Sequence, residues 1–221
     1  MKTYKLATSQ YKTLIFDCDG VLLNSNEVKT EAFFKTALPY GKKAALTLAE
    51  HHKNNGGISR YKKFNYFLEH IVTEHIHGLT LEHLLHSYSE HVISGLLNCE
   101  VASGLSELRQ KTPHARWLVV SGGDQSELRE IFARRELDGL FDGGIFGSPD
   151  SKEIILSREQ SRGNIAPPAL FIGDSKYDYM VANEANIDFV FVSDWTEVND
   201  WRNWCATKKI IALNNLSELI S

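Results

Sequence analysis

No apolar run in this 221-residue chain exceeds five residues, so nothing in it approaches the roughly 20 that span a bilayer. Cysteine is scarce. Cys18, Cys99 and Cys205 are an odd number without metal-ligand spacing, which argues against a disulfide scaffold and reads as free thiols in a reducing compartment. Positive charge is not in excess either: 24 Lys and Arg face 28 Asp and Glu, and a net charge of −4 offers no basic face for nucleic acid and no polybasic membrane anchor. The stretch 1–11 is polar and lacks the apolar core of a signal peptide. Internal repeats and low-complexity tracts are missing as well. Together these absences point to a cytoplasmic globular protein, and 43% hydrophobic with 24% charged residues is ordinary for one. A chain of this length buries roughly 70–75% of its unfolded surface and needs no staples to fold. No feature sets its oligomeric state.

What is present is a series of short apolar runs, each closing on a polar or glycine-rich turn. Leu14-Ile15-Phe16 leads into Asp17, Trp117-Leu118-Val119-Val120 into Ser121-Gly122-Gly123, and Ala169-Leu170-Phe171-Ile172 into Gly173-Asp174. Phe189–Val192 leads into Ser193-Asp194, and Ile210–Leu213 follows near the end. Runs this short, apolar on both faces and separated by helical patterns, predict an α/β fold with a Rossmann-like doubly wound parallel sheet. In such sheets ligands gather at the carboxyl ends of the strands, and the reactive side chains here fall at those ends.

Between residues 24 and 100 no strand pattern occurs. Helical stretches are expected around Glu27–Leu38, Lys42–Lys53, Arg60–His75 and Leu81–Leu97, with Phe64, Phe67, Leu68 and Ile71 forming one apolar stripe. An all-helical block after the first strand reads as an inserted cap. The catalytic core is then 1–23 with 101–221 and the cap 24–100, the chain crossing near Leu23–Asn26 and Glu100–Gly104.

Four phrases carry chemistry. Asp17-Cys18-Asp19-Gly20-Val21 puts two carboxylates two residues apart as the chain leaves a strand, where one could attack while the other handles a proton. Read alone, it is also a turn with two solvated acids. Ser121-Gly122-Gly123 offers a hydroxyl and free N–H groups to an anion, or simply a helix cap. Lys152 opens a helix, which the helix dipole disfavours unless something negative lies close; Lys176 is its rival. Gly173-Asp174-Ser175-Lys176-Tyr177-Asp178 brings two acids to one side of a loop, a set suited to a hard cation with oxygen ligands.

In this order, each after a predicted strand, the four phrases resemble the motifs of the haloacid dehalogenase superfamily, in its phosphoglycolate phosphatase and β-phosphoglucomutase-like branch with a helical cap. The resemblance covers the chain outside the cap. It implies Asp17 as a nucleophile that becomes phosphorylated, Asp19 as general acid/base, Ser121 with Gly122 on the phosphoryl oxygens and Lys152 on phosphate and nucleophile. It also implies metal binding by Asp17, Asp174 and the main-chain carbonyl of Asp19, with Asp178 behind them, orienting Lys152 or a metal-bound water. The third motif often reads Lys-Pro, and Lys152-Glu153 stands here instead. The implied activity is a magnesium-dependent phosphatase acting on a small phosphorylated metabolite.

The charges themselves ask for a cation. A phosphate dianion at about 4 Å from a carboxylate, at an effective dielectric near 20, meets on the order of 4 kcal/mol of repulsion per unit pair. Four acids and one lysine do not accommodate it; a divalent ion with all-oxygen ligands does, and magnesium is the default.

Within the cap, Asn55-Gly56-Gly57-Ile58-Ser59-Arg60 is similar to the cap loop of β-phosphoglucomutases, in which Gly-(Val/Ile)-Ser-Arg contacts the sugar phosphate. By that likeness Arg60 binds an anionic part of the substrate, and a sugar phosphate is the expected class. A sugar phosphomutase is the alternative, but the mutases' His is Lys29 here and the Lys before their glycine is Gly56. A dehalogenase would lack an acid at Asp19. A phosphonate hydrolase would need a cap lysine, and Lys29, Lys53, Lys62 and Lys63 are not distinguished from one another. A non-catalytic relic would have lost one of the four acids. Eight of the nine histidines lie between His51 and His91; groupings such as His83 with His86, or His70 with His75 and His77, read as a solvated helical face. Trp195, Trp201 and Trp204 are expected to pack the last helix onto the sheet.

Overall fold

The computed structural model describes residues 7–72 and 79–220. Six parallel strands form one sheet in the order β3-β2-β1-β4-β5-β6. They are β1 (Thr13–Phe16), β2 (Arg116–Asp124), β3 (Gly144–Ser148), β4 (Ala169–Gly173), β5 (Asp188–Val192) and β6 (Ile211–Leu213). Successive side chains alternate between two buried layers. Leu14 and Phe16 of β1 join Trp117, Val119, Leu170 and Ile172 on one face, while Ile15 joins Leu118, Val120 and Phe171 on the other. This is why the runs read as apolar throughout: a parallel sheet covered on both sides has no wet face.

Helices α5 (Leu105–Lys111) and α6 (Gln125–Arg134) contribute to the first layer, and α7 (Lys152–Ser161) and α8 (Lys176–Glu184) to the second. The last helix, α9 (Trp201–Lys208), lays Trp201 and Trp204 on Phe191 of β5 at ring separations of 5.8 and 5.7 Å, as expected of those tryptophans.

One strand was not anticipated and one expectation needs correction. β3 was not legible, because Gly143-Gly144-Ile145-Phe146-Gly147 carries only two apolar side chains; pairing with β2 and a bond from Ser148 Oγ to the Gly122 carbonyl (2.9 Å) hold it. And Ser121-Gly122-Gly123 does not open a helix. β2 runs through it with a register shift between Val120 and Asp124, and the cap of α6 is Asp124, whose carboxylate accepts from the N–H groups of Ser126 and Glu127.

After β1 the chain leaves the sheet and forms α1 (Asn26–Ala37), α2 (Lys42–Asn54), α3 (Arg60–Tyr66) and α4 (Leu81–Asn98), with no strand among the described residues between them. α3 continues as a wider π turn over Phe67–Ile71. The expected extension to His75, the histidines His75 and His77, and the first six residues of the polar N-terminal stretch lie outside the described residues. The two crossings run side by side: Leu23 bridges Val101, and Asn24 N–H donates to the Glu100 carbonyl at 2.9 Å. Phe33, Phe64 and Tyr88 form an aromatic knot that joins α1, α3 and α4, with Leu48 and Leu84 also buried in the same core. No helix among the described residues is long and apolar enough to cross a membrane.

Candidate active site

Every strand of a parallel sheet ends at the same edge, and here the acids follow the central pair. Asp17 comes directly after β1 and is buried. Its Oδ1 accepts the Cys18 N–H at 2.7 Å and lies 2.9 Å from Lys152 Nζ. Among the described residues Oδ2 has no hydrogen-bond partner. Asp174 comes directly after β4 and accepts from Asn26 Nδ2 at 3.1 Å.

α8 opens with a reciprocal cap. Ser175 Oγ accepts from the Asp178 N–H, and Asp178 Oδ2 accepts from the Ser175 N–H, both at 3.1 Å. The other oxygen of Asp178 receives Lys152 Nζ at 2.5 Å. The ammonium that opens α7 is therefore held between two buried carboxylates, which resolves why a lysine stands at a helix start. Its rival Lys176 is half exposed and pairs with Asp200.

Carboxylate oxygens of Asp17, Asp174 and Asp178 lie within 4.8 Å of one another. Burial, then the Asp178 charge, pushes Asp17 up to about 7 against the opposing pull of Lys152. Burial, then Asp17, pushes Asp174 well above the usual carboxylate range. Lys152 goes up despite burial, because Asp17 and Asp178 favour its charged form. Three buried acids against one ammonium leave a deficit of positive charge, and a hard divalent cation on oxygen donors fits that deficit.

Asp19 has a different environment. Lys29 Nζ reaches its Oδ2 at 2.5 Å and Ser25 Oγ donates to its Oδ1 at 2.6 Å. Burial raises this carboxyl, but the Lys29 charge outweighs burial and holds it below the usual range. Ser25 and Asn26 were not found from the sequence, and Lys29 was noted only as standing where the mutases carry His. The signal available was spacing: Ser25 and Lys29, four apart, share one helix face.

Ser121 is buried in the second half of β2, its Oγ accepting the Gly123 N–H at 3.0 Å. At two glycines the backbone comes too close for a side chain. A Cβ on Gly122 would overlap the Gly57 carbonyl, so the 55–59 loop sits directly on the end of β2. A Cβ on Gly20, which also has φ +75°, would overlap the Asp174 carboxylate. A cavity of about 430 Å³, lined in part by Asp19, Asn26, Gly57, Asp174, Tyr177 and Glu197, opens beside the acids.

Arg60 lines a small space shared with Asp19 and Lys29, and its own partners are protein groups. Its guanidinium is forked onto the Glu127 carboxylate of α6 and lies over the Tyr88 ring at 4.5 Å, while neighbouring Tyr61 donates to Asp124 at 2.7 Å. Here it ties α3 to the sheet domain. His52 is buried against Phe33 and contacts Lys63.

The sequence matches the haloacid dehalogenase-like hydrolase family over residues 14–192. Among solved structures, a predicted phosphatase from Clostridium acetobutylicum is similar at 19% identity and a TM-score of 0.74, covering 96% of this chain and 97% of its own. A β-phosphoglucomutase from Clostridium difficile is similar at 18% identity and 0.71, covering 95% and 93%. A haloacid dehalogenase-like family hydrolase from Streptococcus pneumoniae is similar at 20% identity and 0.67, covering 96% and 98%. No curated protein sequence matches the chain.

Proposed function

The chain belongs to the haloacid dehalogenase-like hydrolases, and from that premise we propose that it is a magnesium-dependent phosphatase acting on a small phosphorylated metabolite through an aspartyl-phosphate on Asp17. The observation that carries this reading is the triad of buried carboxylates Asp17, Asp174 and Asp178 around one ammonium, Lys152. Asp17, Asp174 and the Asp19 carbonyl would hold magnesium, which supplies charge neutralisation for the incoming phosphate.

The remaining work falls to the chain's own groups. Asp17 Oδ2, the oxygen with no hydrogen-bond partner among the described residues, attacks phosphorus while the ester P–O bond breaks. The leaving oxygen takes a proton from Asp19. Asp19 then takes a proton from water, whose oxygen attacks phosphorus, and the bond to Asp17 breaks to release inorganic phosphate. Lys29 and Ser25 orient the Asp19 carboxyl; the arriving phosphate dianion, a like charge, raises its pKa and brings the proton in. Lys152, Ser121 and the Gly122 N–H neutralise and position the phosphoryl oxygens. Asp178 keeps Lys152 in place.

The cap-loop likeness favours a sugar phosphate as the substrate class. Lys29 on Asp19, where the mutases carry His, favours hydrolysis over the phosphomutase reading. The test is phosphate release from a panel of phosphate esters with and without magnesium, beside Asp17→Asn. Release that needs both the metal and Asp17 is expected; undiminished release by Asp17→Asn would remove the mechanism.

A further inference from the structure

The three carboxylates of the triad differ in the groups that hold their oxygens. Asp178 has neither oxygen free: Oδ1 receives Lys152 Nζ, and Oδ2 accepts from the Ser175 N–H and from Ser175 Oγ at 2.6 Å. Asp17 is held on Oδ1 by the Cys18 N–H and Lys152. All of these donors belong to the sheet domain. Asp174 is held from the other side of the crossing. Its Oδ2 accepts from Nδ2 of Asn26, the first residue of α1, and among the described residues its Oδ1 has no hydrogen-bond partner.

Helix capping does not account for Asn26. An asparagine that caps a helix accepts the N–H groups of the first turn through its side-chain oxygen. Here Nδ2 donates outward instead, at 3.1 Å to Asp174 Oδ2 and at 2.8 Å to the Trp195 carbonyl in the segment after β5. Two acceptors fix which way the amide lies, because only its NH2 group can serve both. The next residue of that segment repeats the tie, Thr196 Oγ1 donating to the Asp174 carbonyl at 2.5 Å. Gly20 passes so close that a Cβ there would overlap both Asp174 Oδ2 and Asn26 Nδ2. Asp174 is buried, so a donor fixed in this way on one oxygen also fixes where the other is presented.

We propose that Asn26 is a positioning residue for the cation: by occupying Oδ2 of Asp174 it leaves Oδ1 as the single oxygen that this acid offers. The proposal rests on the reading that Asp174 binds magnesium, and adds to it the group that orients the ligand. Magnesium demands an octahedron and keeps several waters, whereas calcium takes about six to eight oxygens and accepts both oxygens of one carboxylate. An acid with one oxygen already engaged therefore suits the smaller ion.

Calorimetric titration of the chelator-treated full chain with magnesium and, separately, with calcium tests this. Asn26→Leu, close in volume but without a donor, should weaken magnesium binding by roughly ten- to a hundredfold, the usual effect of losing a group that orients a metal ligand. Calcium, free to take both oxygens of Asp174, should be weakened less, so that the ratio of the two affinities falls by roughly tenfold. Loss of a merely structural contact would lower the metal-free melting temperature and leave that ratio alone. If Asn26→Leu does not melt cooperatively, Asn26→Ala is measured in its place. An unchanged ratio in a folded variant, with binding that still requires Asp174, overturns the proposal and leaves the cation reading standing. Magnesium binding that is absent from the wild type, or undiminished in Asp174→Asn, removes the cation reading and the proposal with it.

Discussion

Lys29 Nζ lies 2.5 Å from Asp19 Oδ2, one turn into the first helix after β1, so the second acid of the Asp17-Cys18-Asp19 phrase is held by the first cap helix. Removing Lys29 strands a largely buried carboxylate. Breaking one side of such a pair costs about 3–5 kcal/mol, and Lys29→Met should lower stability by that order in a urea titration. If Lys29 also orients Asp19, kcat falls by about ten- to a thousandfold, part of what a general acid/base contributes. Lys29→Arg should recover a share of both. A variant with unchanged kcat would confine Lys29 to a structural role.

The fork of Arg60 on Glu127 joins residues 67 apart in the chain. If its work is to hold α3 against α6, then Glu127→Gln and Arg60→Met damage the same contact and raise KM by similar factors. If Arg60 instead binds substrate directly, only its own substitutions raise KM. Kinetics of the two single variants and the double variant settle the matter: a double variant no worse than either single places both residues in one unit.

These contacts mark where legibility in the sequence stopped. Leu14–Phe16 and Ala169–Ile172 were readable because a doubly covered strand must be apolar throughout, and Asp17, Asp174 and Lys152 converge because each lies at or just beyond the same sheet edge. β3 was hidden by its glycines. The partner of Arg60 was hidden because no periodicity links residue 60 to residue 127. The burial of His52 went unread although a signal was there: Ala45, Leu48 and His52 fall on one buried stripe of α2.

The acid triad predicts how the protein responds to metal and pH. Asp17 is raised from 3.8 to about 7, above its unfolded value. Metal-free protein then binds more protons folded than unfolded in that window, so this group's contribution to stability is full below about pH 4 and is lost as pH rises through 7. Magnesium should reverse the loss by neutralising the carboxylates. Melting temperatures of chelator-treated protein should fall between about pH 5 and pH 8 and recover on adding magnesium, and Asp174→Asn should weaken the recovery. A metal-free curve flat across this range, with no magnesium response, would remove the cation from the site.

Lys63 predicts the opposite slope. Burial, then the Lys29 charge, pushes its amine from 10.5 down to about 7. Its surroundings explain the direction: Lys29 on α1 and Lys152 on α7 oppose a further positive charge, Asp19 and Glu197 offset them only in part, and His52 on α2, itself pushed down, faces it as a neutral ring. Between about pH 7 and 10.5 the unfolded chain holds a proton that the folded chain does not, so this group makes stability rise with pH. The slope approaches about 1.4 kcal/mol per pH unit at full difference. Lys63→Met lacks that proton, so its stability should exceed wild type near pH 7, with the gap closing toward pH 10. Urea titrations of both proteins across that range measure it. Parallel curves would mean that Lys63 keeps its proton when buried, held by an anion or by water in the space it shares with His52.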